Sequence, residues 1–377
     1  MGSSALGVGM RRLVMVGVVL VGLVVVSAAW AGTISTAPKT TWETNGRVLA
    51  ILNLNGVTYV GGTFTQVMDH SGTVLARSDL AAFDSSGNAT AWGPVANGAV
   101  YALVSDGTRI YAGGAFSGIN GTARHGVAAI NTDGSLPAWS GKAGGGSVQA
   151  LALSGGTLYL GGTFTSLDGA TRSDLGAVTS ASGSLVLWAP VADGRVDAIT
   201  ADGTRVIAGG FFTHINGASQ SHIAALNPST GTPLAWKTHV SAAVLSLDEA
   251  GTNVYAGIGG SGGRIINWDT SGNLLWTAYT DGNVEAVTLA NGEVIAGGHY
   301  NNFCDPNTNC TNPIIRHHIA ALNPTTGALD TTWHPNVNSS LGVYSLAATT
   351  TDLYLGGDFT KINGIDQEHY ADLTITP

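Results

Sequence analysis

The chain has 377 residues and a formal net charge of −9; only 10% of the residues are charged, and 54 are glycine. So little charge excludes a disordered chain, and so much glycine suits a sheet-rich protein with many tight turns. No cluster of lysine or arginine occurs, which excludes a nucleic-acid partner, since that needs a basic face to displace counterions.

Arg11 and Arg12 precede the apolar run LVMVGVVLVGLVVVSAAWA, which ends in small residues at Ala29 and Ala31. A basic start, an apolar middle and an A-x-A end predict a secretory signal peptide over residues 1–31, cleaved after Ala31. The run is also close to the shortest that spans a bilayer, so retention as a membrane anchor is the alternative. Both readings put the remaining residues outside the cytoplasm, secreted or at the cell surface.

From there an internal repeat runs to the C-terminus. Double glycines fall at Gly61–Gly62, Gly113–Gly114, Gly161–Gly162, Gly209–Gly210, Gly297–Gly298 and Gly356–Gly357, with Gly257-Ile258-Gly259 in the fifth copy. Tryptophans recur with them at Trp42, Trp92, Trp139, Trp188, Trp236, Trp276 and Trp333. Each copy reads as four short strands, A to D; in the second these are VYALVS, RIYAGGAF, HGVAAIN and LPAWSG. Between B and C, the stretches FSGING, FTSLDG, FTHING and FTKING carry the Asn-Gly or Asp-Gly of a tight hairpin. Four antiparallel strands in about 48 residues, repeated, predict an all-β, seven-bladed propeller. The blades are placed at about 47–97, 98–146, 147–194, 195–241, 242–282, 283–341 and 342–377.

The last copy, LYLGGDFTKINGIDQEHYADLTI, stops after strand C. The N-terminal KTTWETNGRV matches LWAPVADGRV ahead of the fourth strand A. Residues 39–45 are therefore expected to complete the last blade and close the ring, leaving no open edge.

These residues carry a resemblance. The pattern LYLGGTFTSLDGATRSDLGAV followed by tryptophan resembles the delta-60 repeat β-propeller family of secreted bacterial proteins, over Arg47 to Pro377. The Gly-Gly and Trp skeleton is also similar to kelch repeats. The resemblance implies fold and export, and brings no catalytic residues with it.

The repeated tryptophans and glycine pairs serve the blade, because a ligand site needs only one copy. Arg77, Arg124, Arg172, Gln220, Arg316 and Gln367 share a place ahead of strand C. They are read as satisfying local carbonyls, since the glutamines keep that role without the charge. His222, His318 and His369 share another position. Strand C lies about 10 Å further out than strand A, too far for these to share a metal, and no metal site is expected.

Only the innermost strands converge. They read Val-x-Ala-Leu or close to it, and x varies: Leu49, Tyr101, Gln149, Asp197, Leu245, Glu285 and Tyr344. Tyr101, Gln149, Asp197, Glu285 and Tyr344 are the candidate binding residues of a channel mouth. Asp197 and Glu285 are two blades apart, about 12 Å, which is further than paired acid–base catalysis uses. The second candidate is a rim on the B–C and D–A loop face, where the sixth and first blades carry insertions. Asp69, His70, His299, Tyr300, Asn301, Asn302 and Asp305 supply it with hydrogen-bonding groups, and Cys304 and Cys310 are expected to form a disulfide there.

No nucleophile elbow, phosphate loop, dinucleotide fingerprint or zinc-protease motif occurs. The turns LNPSTGTPLAW and LNPTTGALDTTW are similar to the docking turns of pyrroloquinoline-quinone dehydrogenases, which have eight blades and typically an adjacent-cysteine disulfide. The expectation is a monomeric exported propeller that binds a glycan or an envelope or extracellular protein, with no assigned cofactor. The alternatives are a channel-mouth enzyme (a lyase, a hydrolase or a quinoprotein-like catalyst) using Asp197 and Glu285, and a structural surface protein.

Overall fold

The structure is a computed structural model that describes residues 32–236, 238, 240–260, 262–304 and 312–376. The expected signal peptide, together with Asp305 and Cys310, lies outside the described residues. No helix occurs among the described residues.

Each repeat becomes an antiparallel sheet in the order A–B–C. In unit 3 these strands are Val148–Ser154, Thr157–Gly162 and Leu175–Thr179. Seven such sheets occur among the described residues. Strand A of each unit lies beside strand A of the next, and Val343–Ala348 of unit 7 lies beside Arg47–Leu54 of unit 1. Strand B is buried along nearly its whole length, which is why it reads as a continuous run of apolar and small residues. The core therefore lies between consecutive sheets. One cluster joins Leu175, Ala177 and Trp188 of unit 3 to Val196, Val206 and Phe212 of unit 4. Another joins Val48, Val60 and Phe83 of unit 1 to Tyr354 and Tyr370 of unit 7.

The double glycine has two separate causes. A Cβ on the first glycine would stand against the valine that opens the next unit's strand A: 2.6 Å from Val196 Cγ1 at Gly161, and 2.6 Å from Val48 Cγ1 at Gly356. A Cβ on the second would strike the backbone of its own strand A, 2.1 Å from the Ser147 oxygen at Gly162. The first glycine therefore sets the distance between sheets, and the second sets the closeness of A to B.

The tryptophans tie one unit to the next. The indole N–H donates to a carbonyl of the following unit's C–D turn: Trp92 to Asn131 (3.1 Å), Trp139 to Ser180 (3.0 Å), Trp188 to Asn227 (3.0 Å) and Trp276 to Pro324 (2.8 Å). Trp333 reaches Ser35 at the other end of the chain (3.4 Å). Trp42 makes its bond to the next unit through its backbone amide, to Gly87 (2.9 Å), and Trp236 makes none: its Nε1 is buried with no partner among the described residues, and its ring meets Trp268 edge-on at 5.9 Å. Trp188→Phe is accordingly expected to cost about 2 kcal/mol, losing a hydrogen bond and orphaning a carbonyl. Trp236→Phe removes a donor that already lacks a partner and should cost clearly less; chemical denaturation of the two variants checks the order.

The four-stranded blade needs correction. In units 1, 3, 4 and 6 the outer segment makes a single bridge to strand C, such as Val178 to Leu185, rather than a ladder. The reason is proline: Pro94, Pro190, Pro233 and Pro335 lie within or just after these segments and remove ladder donors. Unit 5, the copy with the most altered doublet, has no such proline and forms a continuous outer strand, Leu274–Thr280.

At the seam, Thr33 and Ile34 pair antiparallel with Thr376 and Ile375 of the last strand C. This is upstream of the expected 39–45. Within 39–45 the Lys39 amide donates to the Asp372 carbonyl of the last strand C (2.8 Å), while Glu43–Thr44 pair with Gln66–Met68 of unit 1. Lys39 bridges the two ends, contacting Asp352 and lying 3.0 Å from Asp372.

Candidate functional site

Every strand A slips register at position x, between Val148 and Ala150 in unit 3 and between Val196 and Ala198 in unit 4, for example. The variable residue is thus the extra residue of a β-bulge, unpaired with strand B and half-buried in all seven units. A bulge frees that side chain from the pleat, so the frame does not dictate its chemistry. The inner strands enclose a cavity of about 220 Å³ whose lining includes Gln149, Asp197, Leu245, Glu285 and Tyr344. Leu49 and Tyr101 are not part of that lining.

Asp197 is the centre of the polar side of this mouth. Arg195 Nε lies 2.7 Å from its Oδ1, while Oδ2 is buried with no partner. Burial raises the Asp197 carboxyl above the usual carboxylate range, Arg195 opposes the rise, and Glu285 adds to it. Glu285 is raised by burial too; a hydrogen bond from Asn283 Nδ2 (3.0 Å) and the charges of His299 and Arg195 pull the other way. Gln149 Nε2 donates to Ser147 Oγ (2.8 Å). The Arg195 guanidinium lies over the ring of Phe211, 4.4 Å from its centroid, and Phe211 is 49% exposed. Arg47 stands 6.0 Å from the ring of Tyr344, and burial raises that phenol. Hydrogen-bonding groups and a half-exposed aromatic ring thus lie side by side at this mouth.

The rim belongs to the same face as the mouth. B–C hairpins pair with the preceding D–A connections in small sheets, as Ala143–Gly144 with Ser166–Leu167. In units 1, 2, 4, 6 and 7 a carboxylate or amide caps this junction: Asn97 Oδ1 accepts from the amides of Ser117 (2.8 Å) and Gly118 (2.9 Å), and Asp281 Oδ1 from those of Asn301 and Asn302 (2.9 Å each). In unit 5 the chain between strands B and C spans only 259–263. That leaves Arg264 and the 38%-exposed Tyr279 together at this edge, the guanidinium 5.8 Å from the ring centroid.

Of the rim residues, His299 is exposed at the end of its strand B, paired with Asn283 and near Glu285, so it belongs to the mouth as well. Asn301 is exposed, 3.4 Å from His317 Nδ1, and Asn302 donates to Asp281 Oδ2 (2.7 Å). Asp69 accepts from Ser71 and Thr73 within its own turn, and these bonds hold its carboxyl below the ordinary range. His70 lies 4.0 Å from Glu43. Tyr300 is not a rim residue. It is 1% exposed, its hydroxyl donates to the Ala296 carbonyl (2.6 Å), and burial raises that phenol. GGHYN aligns with GGTFT and GGDFT, so Tyr300 stands where the other units bury Phe64, Phe164 or Phe359. Cys304 is buried at the end of Asn302–Cys304.

The recurring arginines turn to backbone. Arg77 donates to the carbonyls of Ala76 and Thr90, and Arg124 to those of Ala123 and Pro137. His222, His318 and His369 each adopt a left-handed backbone (φ 67, 68 and 61). Each places Nδ1 at 3.2 Å from the carbonyl of its unit's second glycine. No group of three metal-ligating side chains occurs among the described residues. Sequence reasoning missed Arg195, Phe211 and Arg47. The signal was available, because they flank the register of x on strands A and B.

No protein-family model matches the sequence, and no curated protein does. Solved structures match it at low identity. The WD40 β-propeller domain of Doa1 is 11% identical with a TM-score of 0.56, over 89% of this chain and 96% of that one. A chain of the Mitotic Checkpoint Complex is 14% identical with a TM-score of 0.57, over 100% and 99%. The computationally designed Ika8 protein is 14% identical with a TM-score of 0.53, over 90% and 99%. The likeness, with the strand pairing, establishes an all-β protein of the β-propeller kind.

Proposed function

We propose that this chain is an exported, monomeric, seven-bladed propeller, closed at the seam by its own N-terminal segment. On this reading it binds a glycan, or a polar segment of an envelope or extracellular protein, on the B–C hairpin face. The observation that carries it is the mouth itself: an orphaned Asp197 oxygen and the half-buried Gln149 and Glu285, beside the exposed Phe211 ring under Arg195. Hydroxyl-rich ligands need acceptors next to an aromatic face, and the Cys304–Cys310 disulfide expected of an exported chain would brace the neighbouring loop. The delta-60 repeat resemblance supports export. Arg195 and Asn283 already engage Asp197 and Glu285, which favours binding over general acid–base work.

The test is capture of cell-wall polysaccharides and envelope extract by the purified protein. Phe211→Ala and Asp197→Asn are each expected to weaken capture about tenfold, roughly 1.4 kcal/mol. Asp69→Ala should leave capture unchanged, because that carboxylate serves its own turn. Unchanged capture by Phe211→Ala and Asp197→Asn together would remove the mouth from the reading. Turnover lost in Asp197→Asn with capture intact would replace binding by catalysis.

A further inference from the structure

A cleft of about 440 Å³ opens at the seam, lined by Gly32, Thr33, Ile34, Thr36, Glu293, Asp330, Thr332 and Trp333. It lies away from the mouth, at the end of the sheets where the A–B and C–D turns gather. Its origin can be read from the repeat. Four residues before the first glycine of the doublet, units 2 and 4 carry Arg109 and Arg205. These arginines donate across to the next unit's C–D turn, Arg109 to the Ala181 carbonyl (2.8 Å) and Arg205 to that of Thr270 (2.9 Å). In unit 6 the same position is Glu293, and among the described residues no C–D turn of the next unit meets it. Strand C of unit 7 ends at Thr376, and Gly32–Thr36 arrives from the other end of the chain.

Glu293 is only 4% exposed, and its Oε1 is buried with no partner. Burial and the neighbouring Asp330 push its carboxyl up to about 7. Asp330 spends Oδ1 on the amide and hydroxyl of Thr332, at 2.7 Å each. Lys39, which follows Gly32–Thr36 in the chain, is taken by Asp352 and Asp372. The cleft thus holds two carboxyl groups, and no arginine, lysine or histidine lines it. A cation in such a place stabilises a buried carboxylate that has too few hydrogen-bond donors of its own.

We propose that this cation is the α-ammonium of Gly32, created when the leader is removed after Ala31, and that it pairs with Glu293 to complete the seam. The inference rests on reading residues 1–31 as a cleaved leader. Gly32 lines the same cleft as Glu293, and glycine has no side chain to hold its nitrogen off the wall. An α-amine is mostly protonated at neutral pH, whereas the amide it replaces carries no charge. Leader removal then does more than release the chain; it supplies the missing charge where the two ends of the fold meet.

The experiment starts from the full chain made in an exporting host, with the N-terminus of the product fixed by intact mass. Three products are compared with the mature protein by thermal unfolding and by α-amine labelling at neutral pH. They are Glu293→Gln, an insertion of two residues between Ala31 and Gly32, and both changes together. The expected result is a Tm lowered by several degrees in each single variant, no further loss in the double variant, and an α-amine labelled slowly in the mature protein alone. A mass that starts at Gly32 with rapid labelling, or with additive losses, overturns the pairing and leaves the leader intact as a reading. A mass that starts elsewhere overturns the leader, and the pairing with it.

Discussion

Gly162→Ala is expected to destabilise the protein by about 3 kcal/mol, while Gly121→Ala costs about 1 kcal/mol. At Gly162 the added carbon would come 2.1 Å from the backbone oxygen of Ser147, so strands A and B must separate. At Gly121 nothing lies within 4 Å, and the cost is that of a left-handed backbone (φ +71) in a hairpin turn. The two substitutions are chemically identical and differ only in what meets the new carbon. Denaturation midpoints of the purified variants decide between them. Equal losses would mean that turn conformation, not the approach of A to B, is what the second glycine provides.

Lys39→Met is expected to cost about 2 kcal/mol near neutral pH, less than a fully buried pair would lose because Lys39 is partly exposed. Its partner Asp372 is only 3% exposed, with Oδ1 unpartnered, and burial lifts its carboxyl to about 6 despite the lysine. A carboxyl whose folded pKa is raised costs stability once pH exceeds the unfolded value, and the whole cost is in place above the folded one. Without Lys39 the folded value of Asp372 rises further, so the cost of ionising it grows. Asp352, held low in part by Lys39, loses a stabilisation present above its unfolded pKa. Both effects have the same sign. The loss should be largest at about pH 8 and shrink towards about pH 5, where Asp372 takes up its proton. Thermal unfolding at the two pH values checks this; a loss that does not vary would leave Lys39 only a packing role.

The repeat was legible because each unit solves one packing problem with the same residues. The doublets and tryptophans recur at the spacing of the sheets, and the structure gives each a mechanical reason. The variability of x was legible as well, though only the register slip explains it: a residue outside the ladder is free to change. Other features depend on contacts that the sequence does not state. The outer strands looked regular, and prolines already present in them reduce most to a bridge. The tryptophan match placed the N-terminal strand at 39–45, whereas pairing begins at Thr33. Within 39–45, Lys39 donates its amide to the Asp372 carbonyl of the last strand C (2.8 Å) and Trp42 its amide to the Gly87 carbonyl of unit 1 (2.9 Å), so the match located the segment and missed its upstream start. Tyr300 was misjudged because an insertion was counted from the doublet rather than from the residue that replaces the buried phenylalanine.

The seven bulges separate two kinds of inheritance. A change at x leaves the valine, the glycine it faces and the pairing of A with B untouched, so its effect falls on the mouth and hardly on folding. Each of the seven positions is contributed by a different copy of the same unit, and five of them line one opening. Each copy of the unit therefore carries a free position together with the support that holds it. A library made at Gln149, Asp197, Leu245, Glu285 and Tyr344 changes the lining of the opening while keeping its scaffold.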